Sequence, residues 1–477
     1  MPTSPVRHRR SGSRLGIRRT GFALVGTAAL ALSTALVPSA ATASDIPPEG
    51  EVETSDNVEH VANSPLESPL DNTGSDLAFT GDYAIAGNYD GFVIYDISDP
   101  ENPRTVSQVL CEGGQGDVSV SGDLLYFSVD YPREDETCGS PSSDPSDADA
   151  FEGIRIFDIS DVTQPRYVSA VRIDCGSHTN TLVPGEDGET DYIYVSSYGP
   201  SEEFPNCQPP HDKISIVEVP LDDPASSEVV NEPVLFPEGG NEGDEDLLRP
   251  TEGCHDITAY PELEVAAGAC MGDGVLMDIS DPVEPRVFEQ VQDENFAFWH
   301  SASFSNDADT VLFTDELGGG VAPTCNEEIG PERGADAFYS VLGKFDKGAN
   351  DPKLRFDGYF KIDRHQSDNE NCVAHNGSLI PVEGGDYYVQ AWYQGGVSLI
   401  DFNKSKKPEE IGYFERGPVS EDELVTGGSW SAYYYNGYIY SRDITEGLDV
   451  LKVNDERLSS AEDVTYDEFN PQSQPRY

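Results

Sequence analysis

Asp96-Ile-Ser-Asp-Pro-Glu-Asn-Pro-Arg104 is a phrase that the chain uses three times. It returns as Asp158-Ile-Ser-Asp-Val-Thr-Gln-Pro-Arg166 and as Asp278-Ile-Ser-Asp-Pro-Val-Glu-Pro-Arg286. Each copy follows a glycine and a short aliphatic or aromatic run: Phe92-Val-Ile-Tyr95, Ile154-Arg-Ile-Phe157 and Val275-Leu-Met277. Weaker copies put Glu218, Asp346, Asp401 and Lys452 at the phase of the leading aspartate, and the steps between the seven marks are 62, 60, 60, 68, 55 and 51 residues. A period near 60 residues with several short strands per unit predicts an all-β fold, a β-propeller, because one sheet cannot bury both of its faces alone.

Strand order within a unit is legible. In the fourth, His255–Tyr260 reads as the innermost strand, Val265–Cys270 as the second, Gly274–Ile279 as the third and Arg286–Val291 as the outer one. The sixth repeats this with His375–Pro381, Tyr387–Trp392, Val397–Phe402 and Glu410–Phe414. Gly122-Asp123 and Asn436-Gly437 stand where a tight hairpin turn is needed. The seventh unit (Trp430–Tyr435, Tyr438–Arg442, Leu448–Val453) stops one strand short, and Val58–Ala62, ahead of the first unit, reads like the missing outer strand. A blade shared between the two ends closes the ring and removes its open edges. Seven blades are expected, with six or eight as the alternatives. The excess length of each unit falls in loops at 131–152, 199–212, 236–252, 319–337 and 363–373, where function is expected to sit.

Residues 1–43 read as an export signal. Six arginines between Arg7 and Arg19 precede an uncharged run from Gly21 to Val37 and a small-x-small cleavage site at Ala41-Thr42-Ala43. Arg18-Arg19-Thr20-Gly21-Phe22 resembles a twin-arginine signal; ordinary Sec export is the other reading. No other segment approaches the roughly 20 apolar residues of a membrane span, so a secreted protein is expected. Residues 44–56 read as a disordered linker, 57–453 as the propeller and 454–477 as a C-terminal tail, polar and disordered in the same way. Without the leader, 23 basic side chains face 88 acidic ones. That balance excludes nucleic acid and anionic membrane as partners. It leaves a salt-tolerant surface, Ca²⁺ recruited by acidic loops, or a cationic partner. Eight cysteines in an exported chain predict four disulfides. Cys254–Cys270 flank a hairpin in register; order along the chain suggests Cys111–Cys138, Cys175–Cys207 and Cys325–Cys372.

The glycine-led Asp-Ile-Ser-Asp-Pro-x-x-Pro phrase resembles the LVIVD-repeat family of β-propellers, and the period extends that likeness over nearly all of 57–453. Gly253-Cys-His-Asp256, Trp299-His-Ser301, Thr314-Asp-Glu316 and Ala374-His-Asn376 are similar to the secreted "choice-of-anchor B" propellers. The resemblance implies fold and extracellular location and no reaction.

Four histidines occupy one phase. His178, His255, His300 and His375 each open the innermost strand of units three to six, where units one, two and seven carry Ser75, Gly116 and Trp430. Inner strands line a propeller's channel, so the four imidazoles are expected to converge at one mouth. Neutral imidazole suits Zn, Cu and Fe, and four such groups suit one transition-metal ion with an open position. Asp315 and Glu316, ending the second strand of unit five, are candidate ligands, orienters or a general base. The competing reading makes each histidine a packing element inherited with the repeat, as in WD-repeat propellers; its absence from three units favours function. Cys254 is a thiolate ligand or a disulfide half. Trp299, Trp392 and Trp430 form an aromatic funnel or core. Arg442-Asp443 reads as a buried ion pair, and His60, His211 and His365 as surface or loop residues. Three functions stay open. The first is a propeller binding a metal ion or small ligand at a histidine-lined mouth. The second is an extracellular platform for a protein or polysaccharide. The third is a metalloenzyme, hydrolytic or oxidative.

Overall fold

The computed structural model describes residues 47–477 apart from 245, 246, 325, 327, 346–350 and 365. The leader, the mark at Asp346, Cys325 and His365 lie outside the described residues. Within them the strands form seven antiparallel sheets of four strands each, two of which gain a fifth. The fold is the predicted seven-bladed β-propeller. Blades one to six span 74–110, 118–172, 179–231, 257–291, 299–360 and 377–416. Blade seven spans 429–453 and takes its outer strand from the far end of the chain, where Val58–Ser64 pairs with Gly447–Val453.

That borrowed strand obeys the rule of the other six. In every blade the register slips by one residue between third and outer strand: at Tyr95, Tyr167, Val217, Met277, Tyr339 and Ile400, and at His60/Ala62 in the seventh. Such bulges raise the local twist that each blade needs. At the closure the Asp449 carboxylate is fully buried. It accepts from Arg416 (2.8 Å) and from Asn63 (2.9 Å), and contacts His60 Nε2 (2.7 Å). Burial raises its pKa, but His60 and Arg416 outweigh that and hold it below the usual carboxylate range. His60 is therefore a tie at the ring's seam, on a strand, rather than a surface or loop residue.

The repeated phrase is the turn between third and outer strand. Asp96 and Asp158 accept from the backbone N–H and hydroxyl of the serine two residues on, and from the arginine eight residues on. Asp278 does the same through Ser280 N, with Arg286 at 3.7 Å. The isoleucine of each copy is buried, and its N–H donates to the inner hairpin at Asp82, Asp123 or Glu264. The phrase thus staples the outer turn of a blade to its own inner turn. At the inner turn Asn436 (φ 45°) and Gly437 (φ 94°) take the left-handed conformations that a two-residue hairpin demands.

The apolar core is not central. Nearly all of it is divided into seven wedges, one between each pair of neighbouring blades, and a small eighth cluster gathers Val373, Tyr393 and Ile444. Trp299 and Trp392 belong to two of them, as core and not as funnel. The axis itself is polar, and hydroxyls lace neighbouring inner strands together there. Ser119 donates to Asn180 O, Thr179 to His255 O, Thr258 to Ala302 O and Ser301 to His375 O.

Both flanks of the propeller differ from expectation. Val52–Thr54, in the stretch read as linker, is a fifth strand on blade six. The tail read as disordered is built. Asp455 caps a 3₁₀ helix at Glu456–Asp463, whose Leu458 and Ala461 enter the wedge between blades six and seven. Glu468–Phe469 then pairs with blade one. Asn470 bonds both backbone groups of Val120, Ser473 donates to Leu182 O, and Gln474 bonds both backbone groups of Phe304. The tail therefore seals the ends of the inner strands opposite the histidines. Its composition is polar because its partners are backbone amides, which hydropathy does not register.

Cys111–Cys138, Cys175–Cys207 and Cys254–Cys270 are disulfides as predicted. Cys372 is disulfide-bonded too. No helix among the described residues is long and apolar enough to cross a membrane.

Removing residues 455–477 is expected to lower the melting temperature by more than about 5 °C, followed by circular dichroism; a loose tail would leave it unchanged.

Candidate metal centre

The four histidines stand in a row around the axis. Ring centroids are 4.3 Å apart for His178–His255, 3.9 Å for His255–His300 and 4.1 Å for His300–His375. All four are buried. The cause is register: His178, His255 and His375 each donate their backbone N–H to the second strand of their own blade, at Ser196, Ala269 and Ala391. Each ring is thereby carried to one level of the channel.

Acceptors fix three of the rings at Nδ1. His178 Nδ1 faces Asp130 (2.9 Å), His255 Nδ1 faces Asp256 (2.8 Å) and His375 Nδ1 faces the Trp430 carbonyl. These partners call for Nδ1–H, which leaves each Nε2 with its lone pair. Yet His178 Nε2 and His255 Nε2 lie 2.7 Å apart. Two lone pairs at that distance need a positive charge between them, a shared proton or a bound cation. His300, between its neighbours, is fully buried and neither ring nitrogen has a hydrogen-bond partner. A neutral imidazole carries one N–H that burial without a partner leaves unsatisfied, at a cost of about 1–3 kcal/mol.

Glu316 completes the group. Its oxygens lie 3.9 Å from His300 Nε2 and 3.9 Å from His375 Nε2, and Tyr393 donates its hydroxyl to Oε1. The donor atoms of His255, His300 and Glu316 lie within 4.8 Å of one another. Burial, and then the neighbouring imidazoles, hold His255 and His300 well below the ordinary histidine range. Burial likewise lowers His375 to about 3. These three rings are neutral at neutral pH, the form that ligates metals. Burial pushes Glu316 up to about 7, against the pull of the Tyr393 hydroxyl.

Asp315 is not part of this group. Successive residues of a strand face opposite ways, and both Asp315 oxygens accept backbone amides, from Phe298 (2.9 Å) and Gly334 (2.7 Å). Burial raises it to about 7. It holds the loops that flank the site. His211, read as a surface or loop residue, lies in a loop and is buried against Ser197. Arg442 and Asp443 do not pair: Arg442 donates to the Tyr95 hydroxyl, and the charged neighbour of Asp443 is Arg416 at 3.9 Å.

Above the imidazoles opens a cavity of about 330 Å³, lined by Tyr89, Tyr198, Phe298, Tyr393 and Trp430 with Arg249 at the rim. Tyr198 stacks on His255 at 5.4 Å, and Tyr393 and Trp430 flank His375 at 4.6 and 4.8 Å. The predicted loops do line this mouth: Gly199, Arg249, Glu252 and Gly319–Val321 belong to three of them. A second chamber of about 290 Å³ lies against His178 and Asp130, under the Cys175–Cys207 staple. Asp130, Asp256, Tyr393 and Arg249 touch the histidine–glutamate group or line its cavity and were not among the candidates that the sequence offered. A signal existed for two of them: Tyr198 and Tyr393 stand two residues past the partners of the histidine amides, and Glu316 and Asp130 take the corresponding place in their blades.

Residues 73–110 match the LVIVD repeat family model. No curated protein matches the chain. Among solved structures, hydrazine synthase of Kuenenia stuttgartiensis is similar at a TM-score of 0.51 and 11% identity, over 83% of this chain and 98% of that one. A candidate 6-phosphogluconolactonase of Bacteroides uniformis has a TM-score of 0.48 at 10% identity, over 78% of this chain and 89% of that one. At these identities the likeness is one of fold alone.

Glu316 binds its proton more tightly in the folded chain than in the unfolded one, so its ionisation destabilises the fold progressively from pH 4.5 to about 7. Glu316→Gln removes that term. In urea titrations of metal-free protein, the variant is expected to gain stability over the parent above pH 7, the gap closing as the pH falls toward 4.5.

Proposed function

We propose that this LVIVD-repeat propeller is an exported protein that holds one transition-metal ion, Zn, Cu or Fe, on its axial imidazoles and admits a small ligand to the cavity above. The observation that carries the reading is His300, whose two ring nitrogens are sealed from water and lack any partner. Buried polar groups are almost always hydrogen-bonded, and an orphan asks for an unseen ligand. The rest of the arrangement fits the same demand. His178, His255 and His375 are tied at Nδ1 and present Nε2, which is how outer-sphere acceptors prepare imidazoles for a metal. Glu316 adds one carboxylate, and thiolate is excluded because Cys254 is disulfide-bonded. Nitrogen donors with one oxygen suit Zn, Cu or Fe rather than Ca²⁺ or Mg²⁺.

A metal so held acts as a Lewis acid or a redox centre toward whatever enters. The protein's own part is to select that visitor. Five aromatic rings give the cavity apolar walls, Arg249 offers a cation at the rim, and 330 Å³ is at the small end of ligand pockets. A compact, partly apolar molecule with an acidic or carbonyl group fits these walls. Export follows from the leader and is supported by the three disulfide pairs.

Plasma emission analysis of untagged protein is expected to find about one transition-metal ion per chain, lost in a His255→Ala/His300→Ala double variant that keeps its β circular dichroism. Metal-free protein that takes up no Zn²⁺, Cu²⁺ or Fe²⁺ on dialysis would overturn the reading.

A further inference from the structure

One residue further along the inner strands, the axis carries a second level of different chemistry. Asp76, Asp117 and Asp256 follow Ser75, Gly116 and His255, and are 2%, 4% and 1% exposed. Asn376 joins them from blade six, its Nδ2 lying 3.4 Å from Asp76. From below comes Gln472 of the sealing tail, whose Nε2 donates to Asp76 Oδ2 at 3.0 Å. The hydrogen bonds already made leave a defined remainder. Asp76 accepts from Leu77 N and the Tyr433 hydroxyl, Asp117 Oδ2 from Asn180 N and Nδ2, and Asp256 Oδ1 from His255. Asp117 Oδ1, Asp256 Oδ2, Asn376 Oδ1 and Gln472 Oε1 remain, all buried and all without a partner.

Every one of these leftover atoms is an acceptor. No lysine or arginine pairs with the three carboxylates among the described residues. Asp76, Asp117 and Asn376 line a cavity of about 10 Å³ whose roof is His178, His255 and His375. That is room for a single water-sized particle and nothing larger. Burying like charges together is costly unless an opposite charge joins them. The leftover atoms are all oxygens, two from carboxyl groups and two from amides, a set that selects a hard cation. The small cavity leaves no space for the waters that Mg²⁺ retains, whereas Ca²⁺ accepts irregular sets of carboxylate and amide oxygens.

We infer that Asp76, Asp117, Asp256, Asn376 and Gln472 form a Ca²⁺ site on the propeller axis, beneath the imidazole level and chemically distinct from it. Gln472 is the tail's contribution to this set. The site thereby ties the tail to the floor of the channel.

The test uses the full chain stripped with EDTA. Calorimetric titration with CaCl₂ is expected to give one ion per chain and a raised melting temperature. Tb³⁺ is expected to luminesce on tyrosine excitation, because the Tyr433 hydroxyl touches Asp76. Asp117→Asn keeps the shape of the side chain and should weaken Ca²⁺ at least about 10-fold, while leaving transition-metal content intact. Gln472→Ala, which reaches this level only from the tail, should weaken it in the same sense and decides the matter if Asp117→Asn does not fold. His300→Ala should leave Ca²⁺ affinity unchanged, which separates this site from the imidazole one. Wild type that binds no Ca²⁺, its carboxylates then held by protons, overturns the inference. So does Ca²⁺ affinity untouched by either variant, which would put the ion in the acidic loops.

Discussion

Seven inner strands packed side by side around an axis offer each level of that axis only one side chain per blade. This geometric restriction makes neighbours of residues that the chain keeps far apart. His178 and His255 are 77 residues apart in sequence and 2.7 Å apart at Nε2. Stepping one residue along the same strands exchanges imidazoles for carboxylates and amides, because successive residues meet the axis at successive heights. The hydroxyls of Ser119, Thr179, Thr258 and Ser301, bonded to carbonyls of the next blade, keep those heights in step. A site built this way is as precise as the register of its strands.

The same restriction explains the cost structure of the molecule. The His300 imidazole and the spare oxygens of Asp117, Asp256, Asn376 and Gln472 go without partners on the axis, while the seven apolar wedges lie away from it. Stability is thus generated between blades and spent at the centre, where orphaned nitrogens and crowded carboxylates are tolerated only because closure holds them. Proteins commonly break their own packing rules at functional positions. Here several of the violations share the axis.

Fold and site were legible to different degrees in the sequence. The repeated Asp-Ile-Ser-Asp-Pro phrase exposed the period because each of its residues does local work: capping a turn, fixing a proline corner, or burying an isoleucine. Local work leaves local patterns. The shared phase of the four histidines survived for the same reason, as did Val58–Ala62 as an outer strand. Asp130 was invisible because its role depends on the His178 ring of the next blade, and Asp315 was indistinguishable from Glu316 until strand alternation separated them. The tail was misread because its composition is that of loose chain. What orders it is a series of side-chain bonds from Asn470, Ser473 and Gln474 to inner-strand backbone, and such bonds carry no hydrophobic signature.

The seam at His60 and Asp449 joins residues 389 positions apart. Contacts so distant in sequence form late, since the intervening chain must first be gathered. Until then the third strand of blade seven, Gly447–Val453, has an open edge, ready to pair with a neighbouring molecule instead. The maturation of this protein accordingly has a vulnerable interval, ending when one of its earliest-made strands docks onto one of its last. Crowding or delay during that interval would yield strand-exchanged oligomers, and the buried charges at the seam favour the correct mate over a stranger.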